Sequence, residues 1–315
     1  MKNTDKKSPL KELFVLEKMR KSVNAKAPKR DFKALLLTLI FLFYIGIYLL
    51  MLMEAGWNDT VLRLLLLTAL FVIGYFSFRH SKNELDKEDS RIFVLRYKDF
   101  YLKKYINSLG FNYSKYGIIN ISDISFSNLF LPFQMYEGND LITGSIDNVE
   151  FKFCDLTLKR RMGRTDDGEP YGVVIFQGLL FVANFNKKTK GRILVMSKNI
   201  TSKSGYKKIK MDNSEFNDTF NVFTTDLQNA MYVLTPALMD RILELKKIMK
   251  CPISLSFLYD RIFIKIDKGY DSFEPDLNKS IVSTNITRHI KIELDAMFNI
   301  VKILKLNNRI WTIKN

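Results

Sequence analysis

The sequence has only two cysteines, Cys154 and Cys251, and two histidines, His80 and His289, among 315 residues. That scarcity excludes a disulfide-dense scaffold and leaves too few ligands for a Cys/His zinc centre. The motifs that position phosphates or nucleophiles are missing as well: there is no GxSxG elbow, GxxxxGK(S/T) loop, GxGxxG turn, HExxH or CxxC. Acidic residues are in short supply, with 33 Asp and Glu against 49 Lys and Arg, so the formal charge is +16. Such an excess favours anionic surfaces, lipid headgroups or nucleic acid, as partners. Disorder is excluded by the 47% of apolar residues, and the chain is long enough to bury a sizeable core.

What the sequence has is a long uncharged run. Residues 34–53, ALLLTLIFLFYIGIYLLMLM, hold twenty residues without a charge, which at about 1.5 Å rise per residue matches a hydrocarbon core of roughly 30 Å. A second run over residues 61–78 has the same length class once Arg63 is allowed to snorkel to the interface. The two are joined by EAGWNDT, with Trp57 placed as an interfacial anchor, so a helical hairpin in the membrane is expected. A cleavable signal peptide does not fit, because 33 mostly polar residues precede the first run and no small-residue cleavage pattern follows it. Residues 1–33 carry eleven Lys and Arg against four acids, and the connecting loop carries no basic residue. The positive-inside rule then puts the N-terminus in the cytoplasm, the loop outside, and residues 79–315 back in the cytoplasm. Leu10, Leu13, Phe14, Leu16 and Met19 fall near helical spacing among basic residues; this is either a helix on the inner leaflet or simply the topology signal.

Three regions are therefore expected: a basic N-terminal segment (1–33), the hairpin (34–78) and a cytoplasmic α+β domain (79–315) with a mostly antiparallel sheet and flanking helices. Within that domain a helix is predicted from about Glu88 to Ser108, closed by Gly110. Two strands should meet at Asp147-Asn148, and residues 163–172 form a polar turn region. Residues 173–185 read as a buried strand in which Gly178 marks a bulge or a close backbone approach. NKKTKG reads as a turn before the strand RILVMS, and YKKIKM and NVFTT as two further strands. Thr235-Pro236 starts a helix that runs to about Met249. ISLSFLY and RIFIKI should form a hairpin at Asp260, and a last helix covers roughly residues 290–306, ahead of a strand-like tail.

Candidates for chemistry are few. Asp166, Asp167 and Glu169 could offer oxygens to a hard cation, but the neighbouring Arg160, Arg161 and Arg164 oppose it and a solvated turn is the simpler reading. Asp212 and Glu215 are spaced as a capping box with Asp212 as N-cap. Cys154 and Cys251 read as inert thiols, and His289 as a surface or capping residue. No catalytic residue, cofactor or metal ligand is assigned. The basic residues Lys187, Lys188, Lys190 and Arg192, with Lys207 and Lys208, are the candidates for contact with an anionic surface; Lys198, Lys203 and Lys210 lie in the same stretch. A solvated face is the plain alternative.

Residues 176–187, FQGLLFVANFNK, the block DNSEF at 212–216 and the run FNVFTTDLQNAMYVLTPALMDRIL from Phe220 to Leu243 resemble a bacterial family known as domain of unknown function 3137. The resemblance covers roughly residues 90–275. It implies two hydrophobic spans ahead of a domain of this extent, and it brings no activity, substrate or catalytic residues. The expectation is a membrane-anchored binding or regulatory module for a protein partner or anionic lipid. The alternative is a membrane-associated enzyme whose site is invisible in sequence; nucleic-acid binding ranks behind both.

Overall fold

The computed structural model describes residues 13–24, 36, 44–45, 72, 87–165, 168–275, 277, 279–282 and 284–306. Two compact units are present: Met1–Tyr101 with Pro275–Ile286, and Leu102–Glu274 with Thr287–Asn315. Both expected spans lie outside the described residues except at Leu36, Tyr44, Ile45 and Val72. Among the described residues no helix is long and apolar enough to cross a membrane. His80, Asp166, Asp167 and the C-terminal tail also fall outside them.

In the first unit, α1 (residues 13–24) turns Leu16, Glu17 and Arg20 inward and leaves Phe14 and Val15 exposed. The inward face is not the apolar one read from the spacing, because it carries an ion pair. Arg20 donates to both oxygens of Glu17 at 2.8 and 3.0 Å and to the Leu277 carbonyl at 2.8 Å. Glu17 accepts a further bond from the Ile281 N–H at 3.0 Å. With Arg20 as the largest influence, its pKa falls to about 2. A second helix, α2 (87–97), buries Phe93 and Tyr97 and continues into a π-helical turn, Lys98–Leu102.

The second unit is built on one seven-stranded antiparallel sheet. After α3 (Lys103–Ser108), closed by Gly110 at φ +84°, come β1 (Asn112–Ser114), α4 (Ile121–Ser127), β2 (Met135–Ile146) and β3 (Val149–Arg164). β2 and β3 meet at Asp147-Asn148, both with positive φ as a two-residue hairpin turn demands. The long β4 (Pro170–Ser197) is followed by β5 (Lys207–Ile209), α5 (Ser214–Thr219) and β6 (Phe220–Thr224). α6 (Leu227–Val233), α7 (Pro236–Met249), β7 (Ile253–Asp267) and α8 (Thr284–Ile303) complete the order. The α+β class and the mostly antiparallel sheet with flanking helices are therefore as the sequence indicates.

Two expected turns are instead continuous strand. NKKTKG stays within β4: Phe185, Lys187 and Thr189 are buried while Asn186, Lys188 and Lys190 are exposed, the period of a strand with one covered face. ISLSFLY and RIFIKI form the single strand β7, because both halves pair with β4, Leu255–Phe257 with Ile193–Val195 and Arg261–Asp267 with Gly178–Asn184. The mismatch between the halves is absorbed by a bulge opposite Asp260, with Tyr259 at φ +55°. Gly178 makes the close approach expected of it: a Cβ there would lie 2.2 Å from the Ile266 carbonyl oxygen. Helix caps are local and were legible, with one shift. Thr235 accepts from the Leu238 N–H, whereas Asn213 and not Asp212 caps α5 by accepting from Phe216.

The sheet has two differently filled faces. On one, Phe151, Phe153 and Phe181 stack and meet Phe298 of α8 with ring centroids 5.8–6.0 Å away for the first two. On the other, Cys154, Leu156, Leu158, Phe176, Leu180 and Leu194 pack beneath α4 and the segment after it. Asp123 of α4 is clamped by Lys152 at 2.5 Å and Arg261 at 3.0 Å, which fixes the helix over that face.

Candidate functional site

The segment after α4 does not close the sheet completely. Between it, β4 and the start and end of β7 lies a cleft of about 470 Å³, lined by Phe130, Phe176, Ser197, Lys203, Ser254 and Lys265 among others. Each lysine is positioned by its own element. Lys265 lies in β7, with its ammonium 4.9 Å from the centre of the Phe176 ring and 5.8 Å from that of Phe130, within the range of a cation–π contact. Its acidic neighbour, Asp267, is 3.5 Å away. Lys203 stands on the turn ahead of β5, half-buried.

Both ammonium groups have lowered pKa values. For Lys265 the cause is burial, opposed by Asp267; for Lys203 it is burial followed by repulsion from Arg192 and Lys265. Arg192 adds a third cation. It stacks 5.4 Å over the Phe126 ring and donates one bond to the Tyr206 hydroxyl at 3.4 Å, yet its buried Nε has no acceptor. Among the described residues, neither Arg192 nor Lys203 has an ion pair. Lys203 and Lys265 face one cleft in which Asp267 is the lining carboxylate.

A second, more open cavity of about 670 Å³ shares Phe130, Leu131 and Lys203 with the first. Its remaining wall is largely apolar, with Ile121 and Ile124 of α4, Pro132, Phe133 and Tyr136. Ile121, Leu131 and Tyr136 are 40–56% exposed, unusual for side chains of that size on a well-filled face.

The six basic residues singled out from the sequence are dispersed. Arg192 lies at Phe126 and Tyr206, near enough to repel Lys203, and lines neither cavity. Lys188 and Lys190 are exposed on β4, and Lys207 and Lys208 on β5. Lys187 points inward, 8% exposed, with Nζ 3.4 Å from the Val233 carbonyl at the end of α6 and 5.4 Å from the Tyr232 ring; it closes a helix and offers no contact to a surface. Lys265 escaped sequence reading altogether, although a lysine set among the apolar residues of RIFIKI was a signal. The Cys154 thiol is pushed up to about 12 by burial and the Cys251 thiol is raised for the same reason, which suits inert groups.

A contrasting cluster of acids lies elsewhere in the second unit. The bulge in β2 between Asn139 and Ile142 turns Asp140 inward, where the Tyr113 hydroxyl donates to it at 2.5 Å. One carboxylate oxygen each from Asp140, Asp271 and Glu274 lies within 4.8 Å of the others, a spacing open to a hard cation. Beside them Asp155, 2% exposed, accepts from the Ser272 N–H at 2.5 Å. Burial first, then the charges of Asp271 and Asp140, push its pKa up to about 8. None of these acids lines either cavity described above.

No curated relative matches the chain. The crystal structure of the mycobacterial trehalose monomycolate transport factor A is similar over 67% of this chain and 96% of its own, at 8% identity and a TM-score of 0.36; a score that low does not establish a shared fold. Over residues 174–306, from within β4 to the end of the described part of the chain, the sequence matches the model of the family described as protein of unknown function (DUF3137), and that is the family this protein resembles.

Proposed function

We propose that the chain is a two-pass protein of a bacterial inner membrane, with both termini cytoplasmic, whose α+β domain is a binding module for an anionic lipid headgroup. The observation that carries this reading is the cleft lined by Lys203 and Lys265, both desolvated, with Arg192 outside the cleft adding to the repulsion on Lys203. A phosphate or carboxylate there would relieve the repulsion among the cations and replace the water they have lost. The apolar runs over residues 34–53 and 61–78, the second carrying Arg63 near its start, support a tether that keeps the module near its ligand and raises its effective concentration.

Full-length protein in phosphatidylcholine nanodiscs, titrated calorimetrically with hexyl phosphate against empty discs, tests this. Saturable binding that weakens at least about tenfold in Lys265→Met or Lys203→Met is expected. Equal binding by wild type and both variants would overturn it, as would capture of an acidic protein by the cleft with no binding of hexyl phosphate.

A second reading, a membrane-associated enzyme, is favoured by one specific observation. Carboxyl groups converge at Asp140, Asp155 and Asp271, and a carboxyl that titrates near neutrality is suited to general acid or base work. The burial of Asp140 and Asp155, away from both cavities, counts against it.

A further inference from the structure

The cationic cleft accounts for a headgroup but leaves the adjoining apolar cavity without a role. We infer that the two cavities form one site for an anionic amphiphile taken as a single molecule, with the charged group at Lys203 and Lys265 and the hydrocarbon chain along α4 and the segment after it. This deepens the headgroup reading and rests on it.

Three observations support a single site. Phe130, Leu131 and Lys203 line both cavities, so a ligand passes from one to the other along a shared wall. The boundary itself is amphipathic: the Lys265 ammonium lies over the Phe130 and Phe176 rings, which places positive charge where polar lining gives way to aromatic. Finally, Ile121, Leu131 and Tyr136 are exposed on the floor and rim of the second cavity, and covering them removes apolar surface from water. A flat bilayer could present only headgroups to such a cleft, because a chain lying in the second cavity has to leave the hydrocarbon core. The site therefore selects a monomer with one anionic group and an aliphatic chain, and peripheral adhesion to a membrane surface would not fill it.

The test extends the titration to inorganic, ethyl, butyl and hexyl phosphate with the same nanodisc-embedded full-length chain. Affinity should rise by up to about fourfold for each added methylene. Tyr136→Asn and Ile121→Asn, both at exposed positions that line the second cavity alone, should flatten that rise while leaving the dependence on Lys265 intact. If hexyl phosphate binds no tighter than inorganic phosphate, yet still needs the lysines, the chain site is wrong and the headgroup reading stands. If Lys265→Met and Lys203→Met are both without effect, the two readings fall together.

Discussion

Like charges are gathered twice in the second unit, and the two gatherings resolve their repulsion differently. The cations Lys203 and Lys265 border an open cleft, with Arg192 near Lys203, and the two lysines have lowered pKa values. The acids around Asp155 are enclosed, and there burial and the neighbouring carboxylates favour taking up a proton, with a pKa of about 8. A ligand can relieve the first arrangement from outside, whereas the second relieves itself. Glu17 in the other unit marks the opposite extreme, since a buried carboxyl given an arginine partner is held down at about 2. Access and partner, and not burial alone, set the direction.

The sharpest way to break this comparison is pH. Between about pH 4 and 8 folded Asp155 holds a proton that the unfolded chain has lost, so its contribution to stability is full below pH 4 and is lost as pH rises through 8. Stability should fall across that window, and Asp155→Asn should flatten the slope in thermal melts of the full-length protein. Glu17 predicts the reverse in the acid range: its contribution is present above its ordinary value of 4.5 and declines as pH falls toward 2. Glu17→Gln should remove that acid limb, read in the same melts.

Next in size is the clamp on α4. Asp123→Ala leaves Lys152 and Arg261 without their common carboxylate and should destabilise by about 2 kcal/mol, with a matching loss of hexyl phosphate binding because α4 walls the groove. Stability unchanged with binding lost would mean that the helix reorients without a cost to the fold. Smaller again, Lys265→Met should weaken the ligand yet raise the unfolding free energy, by an amount on the order of 1 kcal/mol, since a desolvated ammonium is replaced by an apolar chain of similar shape. A melting point that falls would make Lys265 a packing residue. Smallest of all, Lys188→Gln with Lys190→Gln should change affinity by less than about twofold, because exposed lysines on a strand are screened by solvent.

Signals carried by a few neighbouring residues were legible in the sequence. The Asp147-Asn148 turn, the Thr235-Pro236 helix start and the close approach at Gly178 each depend on conformational limits of the residues themselves. What failed depends on pairing partners far along the chain. NKKTKG looks like a turn because it is polar, yet it stays extended across two register shifts against β7, paired there at Thr189 with Tyr259. The cationic cleft was half legible for the same reason. Lys203 belongs to a visibly basic stretch, but Lys265 reaches it only through the register of β7 against β4. The acids are similar: Asp155 and Asp271 are unremarkable in sequence until the β2 bulge and the segment after β7 bring them together.

β4 also has a consequence for how the chain is made. It pairs with β3 along its first half and β6 along its last residues, while its other edge waits for β7. On a ribosome working from the N-terminus, that long and largely apolar edge emerges well before Ile253–Asp267 exist to cover it. Until translation reaches them, the nascent domain carries an open template for wrong strand pairing beside its neighbours.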